Sequence, residues 1–195
     1  MNIKEIKASS IITKSNLPDS DFVVNPYVWC THKCIYCYAR FMKRFSNHVE
    51  ARWDFLDVKI NAPDLVSAQT TKYAWKNIFL SSVTDPYLHM ERKYWLTRKL
   101  LEKLIPLNPN LWIQTKSNLI TRDIDLLQKF KHCEAGITIT TLDDDIRKEI
   151  EPFTSPVQNR IEAVRKLHDA GIKNYVFIWP IIPYFTDRKN ILMQT

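Results

Sequence analysis

The chain has 195 residues, 45% of them apolar and 25% charged, which suits one domain with its own core and excludes intrinsic disorder. It has no apolar run of 18 residues to cross a bilayer, and its only two glycines, Gly136 and Gly171, are too few for a G-x-G-x-x-G turn or a P-loop. The formal charge of +7 lies entirely in residues 1–120, which hold 17 basic against 10 acidic residues, while 121–195 hold 11 of each; that bias permits an anionic partner and equally a solvated basic surface.

The polar N-terminus MNIKEIKASS lacks an apolar export segment and a small-residue cleavage site, so a cytoplasmic protein is expected, with 1–20 as an N-terminal extension. FVVNPYV (22–28) reads as a first strand, and DFLDVKIN (54–61) followed by a helical 63–73 as a strand-helix unit. NIFLSSV (77–83) is the next strand. Trp95, Leu96, Leu100, Leu101 and Leu104 recur at helical spacing within 91–105, before Pro106. LWIQT (111–115) precedes a helix over 121–131, with Thr121 as its cap and Asp123 and Asp125 in its first turn. GITITT (136–141) is followed by a helix from Pro156 to Gly171, the latter suited to a left-handed C-terminal position. YVFIWPII (175–182) is the last strand. Trp53, Trp75, Trp95, Trp112 and Trp179 read as core.

Strands alternating with helices indicate an α/β fold with a parallel sheet, open or barrel-like. Only 13 residues (195 − 182) follow the last strand, too few for another helix and strand. The expectation is one domain over 1–195, a partial, open (β/α) barrel lacking its last strand and readable as a C-terminally truncated fragment.

Cys30, Cys34 and Cys37 stand in CTHKCIYC at C-x3-C-x2-C spacing, and Cys133 is 96 positions further on (133 − 37). Three thiolates in one loop could hold an iron–sulfur cluster with one iron left for an outside ligand. They could also belong to a zinc site completed by His32, His48 or Cys133, or be core thiols. Cys133 itself reads as a small buried hydrophobe. Cys30, Thr84 and Asp85, Lys116 and Ser117, and Thr140 and Thr141 all fall at strand C-terminal ends, the face on which parallel α/β sheets bind ligands.

NPYVWCTHKCIYCYAR resembles the cluster loop of radical S-adenosylmethionine enzymes, C-x3-C-x-aromatic-C, with Tyr36 as the aromatic. The likeness is strongest to the branch related to spore photoproduct lyase. It continues through DVKINAP (57–63), SSVTDPYLHMERKYWLTRKLLEKL (81–104), TKSNLITRDIDLL (115–127), ITITTLDDDIRKEIEP (137–152) and NRIEAVRKLHDAGI (159–172), and so spans about residues 22–187. The resemblance implies a [4Fe–4S] cluster on Cys30, Cys34 and Cys37 whose fourth iron takes S-adenosylmethionine, and reductive cleavage of that cofactor to a 5′-deoxyadenosyl radical that abstracts hydrogen from substrate.

The resemblance further implies that Thr84 and Asp85 receive the cofactor's amino group. Lys116, with Ser117 beside it, is expected near the carboxylate or ribose, Thr138 as a hydrogen-bond partner, and Tyr36 against the adenine. Val83 stands where the lyases carry a hydrogen-donating cysteine, which speaks against spore photoproduct repair. No catalytic residue is named by this reading, and His89 and His132 read as ordinary histidines. An electron donor of flavodoxin or ferredoxin type is expected as partner, with an unidentified substrate, anionic or nucleic acid permitted, and no membrane. The alternatives are a zinc-stabilised nucleic-acid-binding module built on the basic first 120 residues, and an inactive relative that binds the cluster.

Overall fold

The structure, a computed structural model, describes residues 1–45, 48, 55–67, 70–183, 186 and 187. Six strands form the main sheet in the order β2 (Ile12–Lys14), β3 (Phe22–Val24), β6 (Asn77–Leu80), β7 (Asn110–Thr115), β8 (His132–Thr138) and β9 (Lys173–Phe177). From β3 to β9 every pairing is parallel, and β2 alone runs antiparallel on the β3 edge. The sheet stays open, as expected for a partial barrel. A second sheet joins β1 (Asn2–Ile6), β5 (Phe55–Lys59) and β4 (Tyr27–Val28).

Strand periodicity decides which side chains reach the inside of this half-barrel. In β6 and β7, Ile78, Leu80, Leu111 and Ile113 are fully or almost fully buried. They pack in a single core with Leu100, Leu101 and Leu104 of α3 (Leu96–Leu104) and Ala163 and Leu167 of α6 (Val157–Asp169). Their neighbours Phe79, Trp112 and Gln114 are half-buried on the opposite face. The register continues that inner row through Gly136 and Thr138 of β8 to Tyr175 and Phe177 of β9. A Cβ on Gly136 would meet the Tyr175 ring at 2.5 Å and force it aside.

Several expectations change. FVVNPYV divides into β3 and β4, in different sheets, since Pro26 cannot donate to a ladder. The 54–61 stretch yields β5, which belongs to the small sheet and is not a barrel unit; its partner β1 lies in the expected N-terminal extension. The helix over 63–73 is α1 (Ala62–Ser67) and a short 3-10 turn, Thr70–Tyr73. The helix over 91–105 breaks at Trp95, left-handed at φ 57°, into α2 (Glu91–Tyr94) and α3. The buried Glu91 carboxylate holds this break, accepting from Thr97 N–H at 2.9 Å and so capping the new start. Over 121–131, Thr121 is not the cap: a 3-10 helix (Asn118–Asp123) begins earlier, capped by Ser117, and leads into α4 (Ile124–Leu127). α6 starts after Pro156 and ends before a left-handed Gly171, as expected. β8 begins four residues before GITITT and ends at Thr138.

Trp75, Trp95 and Trp179 are not core, being 58%, 42% and 60% exposed. Trp75 and Trp95 lie under cations, Lys131 at 5.0 Å and Arg122 at 4.5 Å, while Trp179 lines the cavity described below. Trp53 lies outside the described residues. Among those residues no helix is long and apolar enough to cross a membrane.

Overpacking the inner row should be costly. Gly136→Ala is expected to lose about 1–3 kcal/mol in denaturant melts, and Tyr175→Ala in the same chain should recover part of that loss, a coupling absent if the two residues act independently.

Candidate functional site

At the C-terminal ends of the parallel strands a cavity of about 440 Å³ opens on the inner row. Cys30, Cys34 and Cys37 all line it, together with Tyr36, Ser81, Val83, Thr84, Asp85, Gln114, Lys116, Thr138, Phe177 and Trp179. A larger hollow of about 630 Å³ lies at the opposite, N-terminal ends of β7 to β9, but it gathers none of these groups.

The cysteine loop is fastened at several points. Trp29 and Lys33 take left-handed φ values of 81° and 53°, which turn the chain back on itself. Thr84 Oγ1 donates to the Trp29 carbonyl at 2.5 Å, and Ile35 N–H donates to the Ile150 carbonyl at 3.0 Å. The buried His32 sets Nδ1 3.4 Å from Asp85 Oδ2. Burial pulls the His32 pKa down although Asp85 pulls it up.

Asp85 is the junction between the loop and the strand ends. Oδ1 accepts from Thr115 Oγ1 at 2.6 Å and Tyr87 N–H at 2.8 Å, and Oδ2 from Lys116 N–H at 2.8 Å. Asp85 borders the cavity while holding two groups at the end of β7 and the Tyr87 N–H of its own loop in place. Thr138 Oγ1 accepts from Gln114 Nε2 at 3.3 Å, and Lys116 Nζ stands 5.7 Å from the Tyr36 ring centre. Ser81, left-handed at φ 68° and only 4% exposed, has a hydroxyl with no hydrogen-bond partner among the described residues. Ser117 departs from expectation: its hydroxyl accepts from Leu119 N–H at 3.2 Å and caps the 3-10 helix, outside the lining of this cavity.

Glu151 and Arg160, which the sequence did not single out, form an ion pair at 2.7 Å with side chains 0% and 1% exposed. The Glu151 carboxylate also accepts from Tyr36 Oη and, at 2.7 Å, from Thr140 Oγ1. Arg160 donates to the Thr138 carbonyl at 3.0 Å, to the Ser155 carbonyl at 2.8 Å and to Thr154 Oγ1. One buried pair thereby fixes the aromatic of the cysteine loop, the end of β8 and the start of α6. The Tyr36 hydroxyl is spent on this network, so its ring is what it offers the cavity. Burial and the Glu151 charge raise the Tyr36 pKa, whereas Arg160 and Lys116 hold Glu151 below its usual range despite burial.

Burial, then the charges of Asp85 and Cys34, raise the Cys30 pKa well above the usual thiol value, and burial pushes Cys34 up to about 12. Thiolates are unfavourable at these two positions unless a metal bonds the sulfurs, which removes the penalty. Among the described residues no three Cys, His, Asp or Glu side chains are grouped so as to hold a single metal ion. The further ligands that a zinc site would recruit are engaged elsewhere. His48 pairs with Asp57 at 3.0 Å, His32 faces Asp85, and Cys133 packs on the core. His89 Nδ1 lies 3.3 Å from Thr31 Oγ1 behind the loop, and His132 is exposed at the start of β8.

The profile of the Radical SAM superfamily matches residues 24–193. The chain belongs to the radical SAM superfamily. An uncharacterised protein of Methanocaldococcus jannaschii is 40% identical to it over 196 aligned positions, covering 100% of this chain and 73% of that protein. Spore photoproduct lyase complexed with dinucleoside spore photoproduct superposes with a TM-score of 0.71 at 19% identity, over 93% of this chain and 52% of the lyase. A double mutant of the lyase with bound AdoMet and dinucleoside spore photoproduct gives 0.67 at 19%, over 92% and 51%. The likeness to the lyase establishes the shared open α/β barrel, and this chain spans about half of the lyase's length. As a radical SAM protein it is an enzyme of that type.

Breaking the buried pair should be far costlier than trimming its periphery. Glu151→Ala, which leaves Arg160 uncompensated, is expected to lose about 3–5 kcal/mol, and Tyr36→Phe about 1.5–3 kcal/mol for a hydrogen bond to a charged acceptor. Chemical denaturation of the two single variants and the double variant checks this; if Tyr36 acts through Glu151, the double loss falls short of the sum.

Proposed function

We propose that Cys30, Cys34 and Cys37 hold a [4Fe–4S] cluster and that the cavity beside them binds S-adenosylmethionine. The observation that carries this is the convergence of all three thiols with the polar strand ends on one cavity. When bound, such a pair supplies a 5′-deoxyadenosyl radical by one-electron reductive cleavage of the cofactor, for hydrogen abstraction from substrate. The chain's own part is placement and charge. Lys116 offers an ammonium to the cofactor's carboxylate or ribose. Tyr36, held by Glu151, presents a ring face for the adenine, and the Thr138 hydroxyl a hydrogen-bonding group beside it. Asp85 offers a carboxylate to the cofactor's amino group while organising Lys116 and Thr115, and Ser81 adds an unsatisfied hydroxyl to the same wall. The raised pKa values of Cys30 and Cys34 make loading of the metal pH-dependent, since each thiol must lose its proton on ligation.

Val83 borders the cavity and carries no thiol, which supports a hydrogen abstraction whose outcome differs from the lyase's. The spore photoproduct lyase binds a dinucleoside lesion. Here the aromatic wall of Phe79, Phe177 and Trp179 and the basic first 120 residues support a flat or anionic substrate, nucleic acid included, without choosing among them. The electron comes from an external one-electron donor of flavodoxin or ferredoxin type, in a cytoplasmic setting.

Anaerobically reconstituted protein with dithionite and S-adenosylmethionine should release 5′-deoxyadenosine, quantified by chromatography, and Cys30→Ala, Cys34→Ala or Cys37→Ala should each abolish it. Lys116→Met should weaken cofactor binding about 10- to 100-fold, the loss of one charge-assisted contact, with iron content unchanged. Product release that survives loss of the cysteines would contradict the assignment.

A further inference from the structure

Beside the main cavity, and sharing His32 with it, lies a smaller hollow of about 240 Å³ that none of the three cysteines lines. Its walls come from segments that leave the C-terminal rim of the sheet: His89 and Arg92 between β6 and α3, Asn118 after β7, and Ser155 and Asn159 around the start of α6. The ionisable groups lining it are His32, His89 and Arg92, with no carboxylate among them. Neighbouring carboxylates are engaged elsewhere: Glu91 pairs with Arg122 at 3.1 Å, and Asp123 with Arg122 at 2.7 Å and Arg98 at 3.1 Å. The Arg92 guanidinium has no ion pair or hydrogen bond among the described residues. Burial, and after it the Arg92 charge, hold the His89 pKa below the usual imidazole value, so the cation acts on this wall without a counter-charge.

Hydrogen-bond donors line the same space. Asn118 Oδ1 accepts from Ser155 Oγ at 2.9 Å, which leaves the Asn118 amide nitrogen unused among the described residues. α6, 13 residues long, starts after Pro156 with no side-chain cap and no acidic residue in its first turn. Asp144, at the start of α5 (Asp144–Ile150), takes the Val157 N–H at 3.0 Å, and the N–H groups of Gln158 and Asn159 are left without a helical acceptor. His32 is only 3% exposed and makes no side-chain hydrogen bond among the described residues, its Nδ1 standing 3.4 Å from Asp85. A buried polar ring of this kind is satisfied by what enters the space it borders, and as the Nε2–H tautomer it is a neutral donor. A phosphate matches the set: it supplies the charge opposite Arg92, takes the planar guanidinium in paired hydrogen bonds, and accepts from amide and helix N–H groups.

We propose that this hollow binds a phosphate group of the substrate, paired with Arg92 and hydrogen-bonded by the Asn118 amide, the His32 ring and the first turn of α6. That the phosphate belongs to the substrate rests on the reaction occurring in the adjoining cavity, whereas its binding here does not.

The probes are methyl phosphate and dimethyl phosphate, titrated calorimetrically at low salt into the reconstituted full chain. Methyl phosphate should bind, about tenfold more weakly to Arg92→Gln, and not measurably to Asn159→Asp. The second variant sets a carboxylate in the first turn of α6, which suits the helix dipole and preserves the fold but repels an anion. Arg165→Gln removes the same charge from an exposed position further along α6 and should leave the affinity as in the parent chain. Tighter binding of the monoester than of the diester identifies a terminal phosphate, and equal binding identifies a backbone linkage of nucleic acid; either result supports the site. Binding of neither probe, or equal weakening by Arg92→Gln and Arg165→Gln, overturns it. A parent chain that binds methyl phosphate but takes up no iron leaves this site standing and brings down the cluster reading alone.

Discussion

Glu151 and Arg160 are buried against each other in a medium that neither could enter alone. Their remaining hydrogen-bonding capacity goes to Tyr36, Thr140, Thr138, Thr154 and Ser155, groups drawn from the cysteine loop, the end of β8 and the turn into α6. Because an unpaired charge is so unfavourable there, these segments can occupy only arrangements that satisfy both partners. Asp85 does the same for the other side of the loop, joining His32, Thr115 and the Lys116 backbone. The cavity lies between these two anchors, apart from the main apolar packing.

That packing lies on the other face of the sheet. Alternation along β6 and β7 sends aliphatic side chains under α3 and α6 and leaves Phe79, Gln114 and Thr138 on the inner row that becomes the cavity floor. The scarcity of glycine acquires a meaning in this setting. Gly136 makes room for Tyr175 and Gly171 ends a helix, so no glycine-rich turn is left to cradle a phosphate. The adenosyl group expected here would be held by thiol-bound metal and strand-end side chains instead.

Much of this was legible in the sequence where the signal was local. NIFLSSV, LWIQT and GITITT are β-rich runs, and they contain β6, most of β7 and the last three residues of β8, with β6 ending at Leu80 before the left-handed Ser81. The three cysteines and the strand-end threonines, Asp85 and Lys116 came together because parallel strands place their C-terminal ends on one rim. What was illegible depended on distant partners. Trp95 fits a helical face in sequence, but Arg122 stacks on it and Glu91 caps the residue after next, so the helix divides. Asn2–Ile6 is almost wholly exposed, and only pairing with β5 makes it a strand. Ser117 looked like a site residue by position, yet the start of the 3-10 helix claims its hydroxyl. Glu151 and Arg160 are nine positions apart (160 − 151) on segments with no shared periodicity, so only the fold could reveal them as a pair.

The chemistry of the site depends on whether the three thiols hold a cluster whose open iron meets S-adenosylmethionine in this cavity. Electron paramagnetic resonance of the anaerobically reconstituted and reduced protein, recorded with and without S-adenosylmethionine, tests that most directly. The expected result is the signal of a reduced [4Fe–4S] cluster that shifts when the cofactor is added. A signal unaffected by the cofactor, or a protein that holds zinc and gives no iron signal, would contradict it.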